Sequence, residues 1–167
     1  MDEQAKKTAL RMIPYGLFVL AAQTEDGRSG AAAVNWVTQA SFKPPQVVVC
    51  VQSESWIHEV IRDAKAFALN ILSKDHAEVA FAFFKSVKVE GDLIAGWYFQ
   101  SGVTGAPILT ELPAFVECRL IDSLTAGDHT IFLGEVVEAG ASLPEQERPD
   151  SHTLWLKDLG ENIFYGG

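Results

Sequence analysis

Three short stretches of this chain carry residue types that can hold a ligand or move a proton. The first is Val34-Asn35-Trp36-Val37-Thr38-Gln39, which runs on into Ser41-Phe42-Lys43-Pro44-Pro45. A strand with polar groups and an indole ring can offer backbone N–H and C=O groups to a flat heterocycle. Donors placed that way stabilise negative charge that grows on a ring as it is reduced. The solvent face of an ordinary strand has the same pattern. The second stretch is Gln52-Ser53-Glu54-Ser55-Trp56, which enters a helix at Trp56. Free N–H groups and the positive end of the helix dipole can bind a phosphate there without a cation. Ser53 and Ser55 add hydroxyls, Glu54 opposes an anion unless it points away, and plain N-capping by Ser55 accounts for the same residues. The third is Gly127-Asp128-His129-Thr130, a glycine-led turn that sets His129 at a strand mouth. Histidine there can donate to a carboxamide or move a proton near neutral pH; a surface histidine capped by Asp128 is the plainer alternative. His58, His76 and His152 read as surface residues.

The bulk composition limits what those stretches can serve. The chain has 167 residues, 48% hydrophobic and 21% charged, which suits one domain over residues 1–167. A net charge of -9 with no Lys/Arg cluster argues against nucleic acid and against an anionic membrane surface. It also means that any anionic ligand must be held by local dipoles, because the whole-protein field repels it. Cys50 and Cys118 lie far apart in apolar runs with no metal-ligand spacing, so we expect buried reduced thiols and no metal site. Neither G-x-G-x-x-G after a strand, Walker A, G-x-S-x-G nor H-E-x-x-H occurs. Pro14 and Gly16 interrupt the apolar stretch Met12–Ala22, and Asp2 and Glu3 spoil a basic leader, so the chain reads as cytoplasmic.

The elements that must position the three stretches are mostly short strands. Tyr15–Gln23 is a strand candidate. Asp26-Gly27 predicts a tight turn with both central residues at positive φ, and Ala31–Ser41 is the returning strand. Lys43-Pro44-Pro45 breaks the ladder. The unbroken apolar run Val47–Val51 predicts a strand buried on both faces. Ile57, Val60, Ile61 and Ala64 form one helical stripe behind a Ser55 N-cap. Phe67–Leu72 returns to strand, and a second helix over His76–Phe84 starts after Asp75 with Glu78 placed for a capping box. The glycine-dotted Glu90–Leu109 reads as a long irregular loop. Ala114–Ile121 and Thr130–Glu138 pair around Thr125–Asp128. A Pro- and Glu-rich stretch, Leu143–Pro149, follows, with short segments at Thr153–Leu156 and Asn162–Tyr165. The pattern predicts a mainly β fold, a closed or nearly closed barrel with a few short helices.

Several segments recur in one order: Ile13-Pro14-Tyr15-Gly16 before a strand, Asp26-Gly27, Ser41-Phe42-Lys43-Pro44-Pro45 before Val47–Val51, and Phe67-Ala68-Leu69-Asn70-Ile71-Leu72. Gly102–Pro107, Ala114-Phe115-Val116-Glu117-Cys118 and Gly127-Asp128-His129-Thr130 through Val136 follow. This collinear set, over about residues 13 to 138, resembles the flavin reductase-like, FMN-binding split-barrel proteins of the NAD(P)H:flavin oxidoreductase type. The resemblance implies a Greek-key split β-barrel and a homodimer with FMN (or FAD) near its interface. It implies flavin contacts from Asn35, Trp36, Val37, Thr38 and Gln39, phosphate contacts from Ser53, Ser55 and Trp56, and His129 near the flavin or nicotinamide. The implied activity is hydride transfer from NADH or NADPH to flavin, often supplying a separate monooxygenase. A non-enzymatic FMN electron carrier, or a binder of another ligand such as heme, fits the same barrel. The chain departs from the family pattern at Trp36, at Trp56 in place of a hydroxyl residue, and at Leu93 in place of a basic one; Lys85 or Lys88 are the available substitutes for that cation. The ending Phe164–Gly167 is expected to reach the site of its own or of a partner subunit.

Overall fold

A computed structural model describes residues 1–143 and 148–165. Helix α1 (Glu3–Arg11) opens the chain, capped by Asp2, whose carboxylate accepts from the Gln4 and Ala5 amides. The first hairpin joins β1 (Phe18–Gln23) to β2 (Ser29–Val34). Thr24 N–H donates to the Arg28 carbonyl at 2.8 Å and Gly27 N–H to the Thr24 carbonyl at 2.9 Å. Gly27 alone is left-handed, at φ 86°, so the turn needs one glycine rather than two residues at positive φ. The predicted returning strand Ala31–Ser41 is in fact two. It breaks at Asn35-Trp36, and β3 (Val37–Phe42) then pairs with β4 (Pro45–Gln52) across a cis Lys43–Pro44 peptide.

That break decides the architecture. With β5 (Ala66–Ile71), β10 (Ala114–Thr125) and β11 (His129–Ala141), the strands form one antiparallel sheet in the order β2-β1-β5-β10-β11-β4-β3. β2 and β3 are its two edges, yet two residues connect them. Two residues span roughly 10 Å at most, so the sheet must coil until its edges nearly meet. It does not close by strand pairing. β2 turns its free edge to the segment after α3 (Ala77–Ala82): Ala31 and Val87 exchange backbone hydrogen bonds at 2.9 Å, and Ala33 N–H donates to Phe83 at 2.7 Å. The result is a split barrel of Greek-key type with few helices.

Inside the coil, Leu20, Val34, Val49, Phe67, Leu69 and Phe132 pack with Ile57, Val60 and Ile61 of α2 (Trp56–Ala64), the predicted stripe. Each such side chain withdrawn from water contributes about 1.5–3 kcal/mol. Gly134 leaves the room Phe67 needs: a Cβ there would lie 2.6 Å from the Phe67 ring. Outside β1 and β2, a second core joins Val19, Ala21, Ala31 and Ala33 to Val79, Phe83 and Ile94. The strands buried on both faces are therefore β1, β5 and the alanine-rich β2, whose small side chains admit a layer on each side, and not β4. On β4, Val49 and Val51 point inward while Val48 and Cys50 are only half-buried.

Glu90–Leu109 is not irregular. It folds as the small sheet β6 (Val89–Glu90), β7 (Leu93–Ile94), β8 (Trp97–Ser101) and β9 (Pro107–Leu109), its glycines supplying turns: Gly91, Gly96 and Gly105 all have positive φ. The second helix begins with a 3-10 turn at Lys74–His76 and has no side-chain cap, so neither Asp75 nor Glu78 plays the predicted part; Ser73 instead bonds His76. Glu117, buried at 1% exposure, ties the small sheet's last turn to β10. Its carboxylate accepts from the Val103 and Thr104 amides at 3.0 and 2.9 Å and from the Thr104 hydroxyl at 2.7 Å. Gly102 passes so close to that carboxylate that any Cβ would overlap it.

Removing the buried carboxylate leaves the three part-buried donors without their protein acceptor and opens a cavity beside Gly102. Glu117→Ala should cost about 3 kcal/mol or more, and Glu117→Gln less, since an amide oxygen can still accept. Urea denaturation checks this; a Glu117→Ala midpoint within error of wild type would show that the loop does not depend on it.

Candidate functional site

The three chemistry-bearing stretches, distant in sequence, converge at the split. Asn35 and Trp36 are the link between the sheet edges. The Trp36 carbonyl accepts from Cys50 N–H at 3.0 Å, which pins the link to β4. β4 and β11 are paired with Gln52 opposite His129, and Ser53 N–H donates to the Asp128 carbonyl at 3.0 Å. The turn that carries His129 and the loop that enters α2 are thus one unit. The His129 ring lies 4.6 Å from the Trp36 ring, and Tyr15 continues the row at 6.5 Å.

His129 is neither a free surface residue nor a fully satisfied one. Its Nδ1 sits 2.8 Å from the Asp128 carboxylate, as the plainer sequence reading expected. That hydrogen bond, first among its causes, holds the Asp128 carboxyl below its ordinary range. Nε2 is buried and has no partner among the described residues. A buried ring nitrogen without a partner beside an indole face is the arrangement that a flat, polar-edged ligand would complete.

At α2 the local chemistry differs from the sequence expectation. Ser55 precedes the helix but does not cap it: its hydroxyl donates back to the Gln52 carbonyl at 2.7 Å, and no side chain accepts from the first turn. Trp56 turns its ring onto Gly30 and donates from Nε1 to the Ser29 carbonyl at 2.7 Å. The side-chain donors of Ser55 and Trp56 are therefore spent inside the protein, which leaves the backbone amides and Ser53 as the groups that can face an anion. Lys88 Nζ lies 4.5 Å over the Trp56 ring, which brings one of the two lysines named as substitutes for a cation at Leu93 to the start of this helix.

Val37 is half-buried, with Thr38 and Gln39 exposed beyond it. Asn35 is 1% exposed, and its amide donates to the Tyr165 carbonyl. Tyr165 also donates from its hydroxyl to the Ala33 carbonyl at 2.9 Å and stacks on Phe84 at 4.6 Å and 8°. The C-terminal segment thus reaches its own site through Tyr165; Gly166 and Gly167 lie outside the described residues. A cavity of about 830 Å³ opens beside Trp36, between the end of α1 and this segment, with Arg11, Tyr15, Lys157 and Phe164 in its wall.

Neither Phe84 nor α1 carried a sequence signal as part of this region, whereas the ending that contains Tyr165 did. Three histidines also lie elsewhere than the sequence reading expected. His58 is buried at 6% exposure, its Nε2 2.8 Å from the Thr130 hydroxyl and its ring 5.1 Å from Phe132. His76 and His152 are half-buried rather than on the surface. Cys118 is buried and Cys50 half-buried, both free; burial, aided by the Glu117 charge, pushes the Cys118 thiol up to about 12, so it supplies no thiolate. No helix among the described residues is long and apolar enough to cross a membrane.

A sequence model of the flavin reductase like domain matches residues 10–158. The chain belongs to that family. It is 36% identical over 141 residues to the reductase component of a 4-nitrophenol 4-monooxygenase/4-nitrocatechol 2-monooxygenase of Rhodococcus opacus, covering 84% of this chain and 74% of that one. Diflavin flavoprotein A 1 of Synechocystis sp. is 31% identical over 146 residues, which are 87% of this chain but a quarter (25%) of that relative. Among solved structures, the NADH:FAD oxidoreductase SgcE6 of Streptomyces globisporus superposes with a TM-score of 0.76 at 23% identity, covering 98% of this chain and 94% of that one. This last likeness confirms the fold.

His58 gives the region a pH signature. Burial is the main cause that lowers its pKa below the ordinary 6.5; the Arg62 charge adds to it, and Glu59 and Glu54 oppose it. The unfolded chain therefore binds more protons than the native state between the lowered value and 6.5. The His58 contribution to stability is complete above that window and falls as pH drops through it. His58→Gln should flatten the stability–pH profile below pH 6.5, read by urea titration at stepped pH; an unchanged slope would contradict the buried, neutral imidazole.

Proposed function

We propose that the protein is an NAD(P)H:flavin oxidoreductase, built as one domain, that binds FMN at the barrel split, with FAD as the alternative flavin. The observation that carries this reading is His129 Nε2, buried and unpartnered on the rim shared by Trp36 and the entry to α2. A flavin, when bound, supplies the hydride acceptor. The chain's own part is to position and to polarise. Backbone groups of Trp36, Val37, Thr38 and Gln39 face the polar edge of the ring and favour its reduced form. The Ser53 hydroxyl, the Trp56 amide that opens α2, and Lys88 hold the phosphate, with Ser55 shaping the loop through its bonds to the Gln52 carbonyl. With Nδ1–H held by the Asp128 carboxylate, His129 offers Nε2 as an acceptor for the nicotinamide carboxamide N–H and so aligns the hydride donor with the ring. Relatives that are reductase components of monooxygenases support a role in supplying reduced flavin to a separate oxygenase.

The test is an anaerobic visible spectrum of the protein with FMN, followed through NADH and then NADPH additions. Bleaching of the flavin band is the expected result, and the faster nicotinamide is the preferred one. A band that survives both would reassign the protein as an electron carrier. His129→Ala should slow NAD(P)H oxidation by about 10²-fold while FMN stays bound; undiminished turnover would remove His129 from the mechanism.

We further propose a homodimer. Val48 and Cys50 on β4 stand opposite Leu133 and Ile131 on β11, all on the outer face, with Ile131 40% and the neighbouring Leu124 61% exposed. Thr38 pairs with Val48 and shares that face, so a second copy seated there would lie beside the flavin. Ile131→Glu should convert a dimer to a monomer in light-scattering chromatography; a wild-type protein that elutes as a monomer at micromolar concentration would end this proposal.

A further inference from the structure

Thr130 lies at the centre of a polar hub that joins the phosphate loop to the His129 turn. Its Oγ1 is 2.8 Å from His58 Nε2, 3.2 Å from Ser53 Oγ and 2.7 Å from Thr125 Oγ1. Thr130 and His58 are buried, at 2% and 6% exposure. A hydroxyl has one proton and two lone pairs. Its three partners are therefore all served only when Thr130 donates to one and accepts from the other two. If Thr130 donates to His58 or to Thr125, Ser53 must donate inward and presents only lone pairs outward. If Thr130 donates to Ser53, the Ser53 proton is free to point away from the hub, and His58 must then be the donor, through Nε2–H.

An oxyanion in front of Ser53 stabilises only that last arrangement, because outward lone pairs repel it. We propose that the buried pair Thr130 and His58 are positioning residues that turn the Ser53 hydroxyl into a phosphate donor, with Thr130 donating to Ser53 and His58 donating to Thr130. The proposal rests on the reading of Ser53 as a phosphate ligand. It explains why a histidine lies under this loop: the Nε2–H tautomer supplies a proton that a second hydroxyl in that place would supply only by chance of rotation. The three-bond chain ends on the anion, and each link strengthens the next in a dry environment.

The experiment compares FMN with riboflavin, which lacks the phosphate, by quenching of flavin fluorescence on binding. Ser53→Ala should reduce the preference for FMN over riboflavin about tenfold, the size of one hydrogen bond to a charged group. Thr130→Val should reduce it by a similar factor without changing riboflavin affinity, and Thr130→Ser should restore it. In the FMN complex, imidazole 15N shifts should show His58 protonated at Nε2. If Ser53→Ala leaves the preference intact, the phosphate reading fails and the proposal with it. If Ser53→Ala lowers it but Thr130→Val does not, or if His58 Nε2 is unprotonated in the FMN complex, the proposal alone fails. A Thr130→Val loss that falls equally on FMN and riboflavin also overturns it, because it marks a structural role.

Discussion

Asn35 and Trp36 are all that separates β2 from β3, and β2 and β3 are the two edges of a seven-stranded sheet. A link that short cannot cross a flat sheet of that width, since neighbouring strands lie about 4.8 Å apart. The coil of the barrel, the seam where it fails to close, and the position of the site all follow from this one constraint. β2 spends its free edge on Phe83 and Val87, and β3 goes on to pair with β4. The link is left where backbone groups are least committed to strand ladders, which is where a ligand with its own hydrogen-bonding edge can be received. Trp36 then has a defined neighbour: its carbonyl is tied to Cys50, and its ring meets His129.

The rest of the fold keeps that seam rigid. α2 plugs the barrel with Ile57, Val60 and Ile61, and the same packing presents its first turn to the rim. Glu117 holds the 102–105 turn from below. Burial of β2 on both faces depends on alanine and glycine along its length, and Gly30 admits the Trp56 ring. Trp56 is therefore committed to packing on Gly30 and to its bond with the Ser29 carbonyl. It fixes the angle at which α2 leaves the loop, and it carries Lys88 on its outer face.

What could be read in the sequence was whatever depends on neighbours in the chain. The 3.6-residue stripe of α2, the β1–β2 hairpin, the β10–β11 pair and the order of the motifs were all legible, because local periodicity and turn chemistry set them. What could not be read depends on what packs from elsewhere. VVVCV looks the same whether its outer face meets a layer of the same chain or awaits a second copy. The glycines of 91–105 signal turns, but not that strands of two to five residues lie between them. Glu117 stood in a recognised motif, yet its partners at Val103 and Thr104 come from another sheet. His58 occupies a helical position next to Ile57 that periodicity alone assigns to the margin of the stripe. The hydroxyl of Thr130, which gives it a reason to be buried, is distant in sequence. The ending that holds Tyr165 was expected to reach the site, but that its carbonyl would meet Asn35 was not legible, because that partner lies at the far end of the chain.

The acidic balance poses a difficulty for the proposed anionic ligand, and the groups at the rim set the scale on which it would be met. At physiological ionic strength, exposed charges are screened beyond about 8 Å, so a formal charge of -9 spread over the surface matters less than the few groups at the rim. Of the carboxylates there, Asp128 is engaged by His129 at 2.8 Å, while Glu54 in the loop and Glu59 in the first turn of α2 are exposed to solvent. Against them stand the uncapped first turn of α2, the Ser53 hydroxyl and the Lys88 ammonium. Amide and hydroxyl dipoles fixed by the fold do not have to be reoriented when a charge arrives, and in a partly dry rim they act at low dielectric. A cation-rich pocket would attract anions of every kind from solution. A rim that relies on oriented donors favours a ligand whose charged and planar parts arrive at the right separation, and it does so without giving up the acidic surface charge.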